Sequence, residues 1–253
     1  MPKLSLAIIV KNEEPNLPRF LAAAAGLADE IVAVDSGSTD RTVELLLAAG
    51  ARVEQREFSG FADQKNYAGS LATGDFVLYL DADEVPDAQL AAALLEVKSG
   101  ARPGRLFEIN RKPYFFGKFL THGGFFPEYR TRLAALGQAS WRGQVHESLI
   151  GRESPARLPG VLLHYSYETV GDYLTRLERY SRLAAAQMKA RGKKAGPFSV
   201  FGHSAWAFFS RFVLRAGFLD GYQGYLAARL ESVYTMAKYA RLMELNRGVE
   251  DGE

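Results

Sequence analysis

The chain has 253 residues, 47% of them hydrophobic and 24% charged, with a net charge of +2. These are ordinary proportions for a globular protein, with enough chain for one α/β domain and a smaller appendage. Cysteine is absent, which excludes a disulfide framework and a thiolate metal site and fits a reducing compartment. The start, Met1-Pro2-Lys3-Leu4, lacks the apolar stretch of a signal peptide. The best candidate for a membrane span, the 16 residues between Lys194 and Arg211, is short and broken by Gly196, Pro197 and Gly202, whereas a span needs roughly 20 apolar residues. The expectation is therefore a cytoplasmic protein.

The elements follow in chain order. Leu4 to Val10 reads as a buried strand, followed by a helix that Pro15 opens, with Leu17, Phe20, Leu21 and Ala24 at helical spacing. Ile31 to Val34 is a second strand. The turn Ser36-Gly37-Ser38-Thr39-Asp40 caps a helix that stops at Gly50. Ala51 to Gln55 is a third strand, Phe61 to Ala72 a helix, Phe76 to Leu80 a fourth strand and Asp87 to Val97 another helix. Strand and helix alternate, which predicts an α/β fold with a mostly parallel sheet covered by helices on both faces. Residues 101–168 are richer in Gly, Arg and aromatics. From Val170 onward the pattern is helical, with Tyr222, Tyr225, Leu226, Leu230, Val233, Ala237 and Ala240 at a 3–4 spacing. The expected division is a catalytic domain over 1–168 and a helical region over 169–253.

Charge is unevenly spread. From Tyr173 to Leu219 there are nine Lys and Arg against the single acid Glu178, a local +8 that leaves −6 for the rest. Such a block points to an anionic partner surface.

In open α/β sheets ligands sit beyond the carboxyl ends of the strands. Three polar clusters fall there: Lys11-Asn12-Glu13, Asp35-Ser36-Gly37 and Asp81-Ala82-Asp83. Asp81 and Asp83, two residues apart after an apolar strand, can hold one hard cation, Mg²⁺ or Mn²⁺, whose shell substrate phosphates complete. The plainer reading is an acidic turn or a cap for the next helix. Asp35 can accept hydrogen bonds from a ribose or a base, or it closes a turn. Lys65, in Gln64-Lys65-Asn66, can reach a diphosphate or a base, or it lies on a solvated helix face.

Together, Ile9-Val10-Lys11-Asn12-Glu13, Val34-Asp35-Ser36-Gly37-Ser38-Thr39-Asp40, Gln64-Lys65-Asn66 and Leu80-Asp81-Ala82-Asp83-Glu84 resemble the family 2 glycosyltransferases of GT-A fold. Later segments resemble the subgroup that adds glucose to heptose of the lipopolysaccharide inner core by a β-1,4 linkage. They are Gly117-Lys118-Phe119, His122 to Tyr129, Val145-His146-Glu147, His164-Tyr165-Ser166-Tyr167 and Gly217 to Gly221. The chain departs from the family in having Asp35-Ser36 where many members have two aspartates, and in lacking a Gln-x-x-Arg-Trp run.

The resemblance implies an inverting transfer from a UDP-sugar, with Asn12, Glu13, Asp35 and Lys65 around the uridine. It gives Asp81 to the ribose or the metal and Asp83 to the metal, with His164 as a further metal ligand or, as is commoner for a lone histidine at a strand end, a hydrogen-bonded structural residue. A carboxylate takes the proton of the acceptor hydroxyl. Glu147 is the first choice for that base and Glu128 the second; the alternative for each is an ion pair with Arg130, Arg132 or Arg142. His146 flanks Glu147 and can orient it. His122, in a Gly-rich loop, can contact donor or acceptor, and His203 has nothing beyond its residue type. The implied partners are a UDP-sugar donor, a lipid-linked oligosaccharide acceptor and, through the basic block and the aromatics Phe198 to Phe212, the anionic inner face of the cytoplasmic membrane. The alternative packs those aromatics within the protein or on a second subunit of a homo-oligomer with the basic residues solvated, and the expectation is a mixture, with the aromatics mainly packed and the basic face against the membrane. Competing functions are a sugar-nucleotide nucleotidyltransferase and a non-catalytic carbohydrate-binding protein on the same fold. Nucleic acid is not an expected partner, because no recognition motif accompanies the basic block.

Overall fold

The computed structural model describes residues 2–143 and 147–248. Two compact units emerge: Met1–Arg111 with Glu128–His164, and Lys112–Pro127 with Tyr165–Glu253. The architecture is α/β, a GT-A-like mixed sheet followed by C-terminal helices.

The first unit opens with β1 (Leu4–Val10), α1 (Leu17–Ala24), β2 (Glu30–Asp35), α2 (Thr42–Ala48), β3 (Arg52–Gln55), α3 (Phe61–Ser70) and β4 (Phe76–Tyr79). Next come β5 (Glu84–Pro86), α4 (Ala88–Ser99) and β6 (Leu106–Phe115); β7 (Lys118–Phe119) belongs to the second unit. Strands β8 (Tyr129–Ala135), β9 (Ala139–Arg142), β10 (Ser148–Gly151) and β11 (Ala156–Tyr167) complete the sheet elements. Among the described residues the main sheet runs β3-β2-β1-β4-β8-β6-β11-β5. β3, β2, β1 and β4 are mutually parallel, while β8 joins β4 antiparallel, as β6 does β8 and β5 does β11.

Side-chain alternation explains why β1 sits at the centre of the parallel half. Leu4, Leu6, Ile8 and Val10 point into one core with Leu17 and Phe20 of α1, Leu46 of α2 and Leu90 of α4. Ala7 points into the opposite core, with Val34, Tyr79, Ala68 of α3, and Trp141 and Leu149 of the β9–β10 hairpin. Phe20 is 1% exposed, and removing such a ring costs about 3–5 kcal/mol. α1 begins later than Pro15 implies: Pro15 lies in the preceding turn, and Pro18 occupies the first helical turn.

Asp87 caps α4 by accepting from the Leu90 amide at 2.7 Å, and the same oxygen accepts from Val161 N–H at 3.1 Å. That double contact needs Gly160, where a Cβ would lie 2.2 Å from the Leu90 nitrogen.

In the second unit a Thr169/Asp172 capping box starts α5 (Val170–Ala190). Helix α6 (Pro197–Phe209) runs into a π-helical turn, Ser210–Leu214, and a 3₁₀ turn, Gly217–Asp220, before α7 (Gly221–Asn246). Its core gathers Phe115, Leu120, Tyr173, Ala227 and Leu230. Buried Asp220 accepts from the amides of Thr121 and His122 at 2.9 and 2.7 Å, tying their loop to the start of α7. The buried face of α7 carries Gly224, Ala227, Ala228 and Leu230 rather than the expected Tyr222, Tyr225 and Val233. Small residues win there because neighbouring backbone comes close: a Cβ on Gly224 would lie 2.0 Å from the Gly217 carbonyl oxygen. Among the described residues, no helix is long and apolar enough to cross a membrane.

Candidate active site

The parallel register brings the ends of β1, β2 and β4 to one edge of the first unit, with Val10 opposite Asp35 and Ala7 opposite Tyr79. The loops beyond β1 and β2 bind each other. Asn12 adopts φ 56°, a left-handed conformation that asparagine tolerates. Its amide donates to Ser38 Oγ at 2.9 Å, and its side-chain oxygen accepts from Thr39 N–H at 2.8 Å. Glu13 N–H donates to Thr42 Oγ1 at 2.7 Å, and the Glu13 carboxylate accepts from Asn16 at 2.8 Å. Asp35 is fully buried, and its carboxylate accepts from the amides of Gly37 and Ser38 and from the Ser38 hydroxyl. Asn12, Glu13 and Asp35 thus form one interlocked polar turn.

A second group forms around β4. α3 turns Gln64 and Lys65 inward, so Lys65 is 5% exposed rather than on a solvated face. Its ammonium lies 3.0 Å from Asp81 Oδ1, 3.0 Å from Glu147 Oε1 and 4.6 Å from the centre of the Trp141 ring. Asn66 fixes that ring's strand, donating to the Trp141 carbonyl at 2.9 Å and accepting its amide at 2.7 Å. The other Asp81 oxygen meets Arg132 at 2.9 Å. Arg132 also donates to Glu84 at 2.7 Å, and Glu84 accepts the Asp81 amide at 3.1 Å. From Glu84 the ions continue through Arg111 to Glu128, which Arg111 meets at 2.8 Å and Arg130 at 2.6 Å. Asp81, Arg111, Arg130, Arg132, Trp141 and Glu147 line a cleft of about 280 Å³.

A third pair stands beside this group. Asp83 Oδ2 is 3.3 Å from His164 Nε2, and β11 and β5 pair His164 with Glu84.

Electrostatics separates the carboxylates. Burial pushes the Asp81 carboxyl up, but Arg132 and Lys65 outweigh it and hold the group well below the usual range. Burial also works against the charge on Arg132, and Glu84 and Asp81 outweigh it, so the guanidinium stays charged. Glu128 is likewise lowered: burial raises it, and Arg111 and Arg130 more than offset that. A carboxylate clamped between two guanidiniums is a weak proton acceptor. Glu147 instead lines the cleft against Lys65.

Lys65 therefore contacts Asp81 and Glu147 directly, Glu128 joins them only through arginines, and Asp83 with His164 forms a neighbouring pair. Both Asp81 oxygens are engaged by cations, so the side chains that fit a divalent ion are Asp83 and His164, with substrate oxygens needed to complete its shell. Among the described residues no set of three or more His, Asp or Glu side chains converges as a metal cage. His146 lies outside the described residues. His122 stands 3.4 Å from Asp220 in the second unit, and His203 sits 2.9 Å from the Ser199 carbonyl and stacks on Tyr239.

Sequence reasoning gave no role to Arg111 and Trp141, offered Arg132 only as an ion-pair partner for Glu147 or Glu128, and named Glu84 only within the strand-end motif. The available signal was Arg130-Thr131-Arg132 on a strand whose continuation, Leu133-Ala134, is buried. A period of two carries Arg132 toward the same environment as Ala134.

The sequence model described as "Glycosyl transferase family 2" matches residues 5–129. An uncharacterized glycosyltransferase of Rickettsia felis is 27% identical over 98% of this chain and 91% of that one. The lipopolysaccharide core biosynthesis glycosyltransferase LpsC of Rhizobium meliloti is 29% identical over 96% of this chain and 94% of that one. Among solved structures, glucosyl-3-phosphoglycerate synthase from Mycobacterium tuberculosis, in complex with Mn²⁺, UDP and glucosyl-3-phosphoglycerate, aligns at TM-score 0.36. That alignment has 24% identity over 45% of this chain and 44% of the other. With its sheet, the order of its strand-end motifs and the family match over the segment that bears them, the chain carries a glycosyltransferase family 2 region over residues 5–129.

Proposed function

We propose that this glycosyltransferase moves glucose from UDP-glucose, with inversion, onto a sugar hydroxyl of a lipid-linked lipopolysaccharide-core acceptor. The observation that carries the transfer chemistry is the Glu147–Lys65–Asp81 bridge, which sets a carboxylate across the cleft from the end of β4. Similarity along nearly the full length to a lipopolysaccharide core glycosyltransferase supports the acceptor class.

In this reading the uridine lies by the interlocked turn of Asn12, Glu13 and Asp35. Lys65 and Arg132 face the diphosphate, with Asp81 between them holding both cations in place. Glu147 accepts the proton of the acceptor hydroxyl as that oxygen attacks the anomeric carbon. The bond to the diphosphate breaks with its electron pair, and UDP leaves. One displacement needs one base and no covalent intermediate. A Mg²⁺ or Mn²⁺ ion held by Asp83 and His164 would neutralise charge on the leaving diphosphate.

A donor panel with purified protein, divalent metal and a deacylated inner-core acceptor tests this. UDP release is expected with UDP-glucose, abolished by EDTA and restored by Mg²⁺ or Mn²⁺. Equal release with every donor would remove the glucose assignment, and activity indifferent to EDTA would remove the metal.

A further inference from the structure

Helix α6 presents apolar side chains to solvent along its whole length. None of its 13 residues is buried, and Phe198, Phe201, Trp206 and Phe209 are 94%, 79%, 60% and 46% exposed. Their spacing gathers them within an arc of about 140° at 3.6 residues per turn, so they form one stripe. The stripe is additional to the helix's own packing, since Phe208 meets the Tyr225 ring of α7 edge-on at 5.9 Å. Isolated exposed aromatics need no explanation, but a contiguous stripe marks an interaction surface.

The flanking charge indicates what covers it. Lys189, Arg191, Lys193 and Lys194 are all exposed just ahead of α6. From Arg179 to Leu219 there are eight Lys and Arg and no Asp or Glu. A two-fold dimer across this stripe would set one basic cluster against its copy with no acid in the stretch to offset it. An anionic lipid surface complements both halves, taking aromatic rings at the headgroup boundary and cations at the phosphates. At 13 residues the helix is roughly 20 Å long, short of the ~30 Å hydrocarbon core, so it lies on a bilayer rather than through it.

We propose that α6 and the basic segment ahead of it dock the protein onto an anionic membrane surface, with the Phe198–Phe209 stripe entering the headgroup layer. This is independent of which sugar is transferred.

Co-sedimentation with phosphatidylglycerol–phosphatidylcholine vesicles, against phosphatidylcholine alone, tests it on the full chain. Binding is expected only with the anionic lipid, weakening as salt rises. Replacing Lys193 and Lys194 by Gln should weaken it by about thirtyfold, from ~1 kcal/mol per charge. Phe198→Ser with Phe201→Ser should abolish binding while leaving transfer to a deacylated acceptor unchanged. Because the two variants remove different halves of the surface, a folding defect in one does not mask the other. Equal binding to neutral and anionic vesicles would overturn the proposal, as would wild-type binding by both variants. So would dimers in vesicle-free solution that Phe201→Ser disperses.

Discussion

Helices α3 and α6 each break the rule that apolar groups go in and polar groups out, and they break it in opposite directions. α3 buries Gln64 and Lys65, whereas α6 buries nothing and exposes four aromatic rings. The buried lysine is held by Asp81 and Glu147 and stacks near Trp141, so its desolvation is offset by charges assembled from β4 and the segment before β10. The exposed rings have no such compensation in their own unit. Departures from consistent patterning concentrate at functional sites. Here one is repaired internally by ions, and the other awaits a partner.

That contrast can be broken from either side. The largest effect is expected at the ionic group. Arg132→Met strips Glu84, which is fully buried, of its 2.7 Å partner, and uncompensating a buried charge costs about 3–5 kcal/mol. Urea unfolding checks it, and a loss below about 1 kcal/mol would mean that Arg111, 3.5 Å from Glu84, compensates the carboxylate by itself. A moderate effect is expected from acid. Asp81 and Glu128 have lowered pKa values, so the folded form binds fewer protons than the unfolded one. Their contribution is complete above the unfolded carboxylate values near 4 and is lost as pH falls from there toward the folded values. Thermal midpoints should hold from neutrality to about pH 5 and drop steeply below about pH 4; a flat profile to pH 3 would contradict the assignment. The smallest effect is expected at α6. Phe198→Ser should shift stability by less than about 0.5 kcal/mol, as for an exposed site. A larger loss by urea titration would mean that the ring is packed in solution.

The two helices also mark the limits of sequence reading. The parallel half was legible because its strands are nearly pure apolar runs bounded by turns, as Leu4–Val10 and Val32-Ala33-Val34 are. The turn at Asp35 to Asp40 was legible for the same local reason. The antiparallel half was not. β8 begins Tyr-Arg-Thr-Arg and β9 is Ala-Ser-Trp-Arg, patterns whose burial is decided by carboxylates some fifty residues away, such as Asp81 and Glu84 for Arg132. Glu84 read as part of an acidic turn, yet it is a β5 residue with no exposure, because Arg132 and the Asp81 amide satisfy it. Asp81, Asp83 and Glu147 were visible as strand-end or family-motif acids. The cations that separate their roles were visible only once the chain was folded.

In the proposed mechanism Glu147 takes the acceptor proton while Lys65 and Asp81 hold the donor side of the cleft. The most direct measurement is transfer by Glu147→Gln, with UDP-glucose binding followed in parallel by calorimetry. Loss of a positioned base is expected to lower turnover by about 10²–10⁴-fold, with donor affinity kept within a few-fold. Near wild-type turnover by Glu147→Gln would contradict the account.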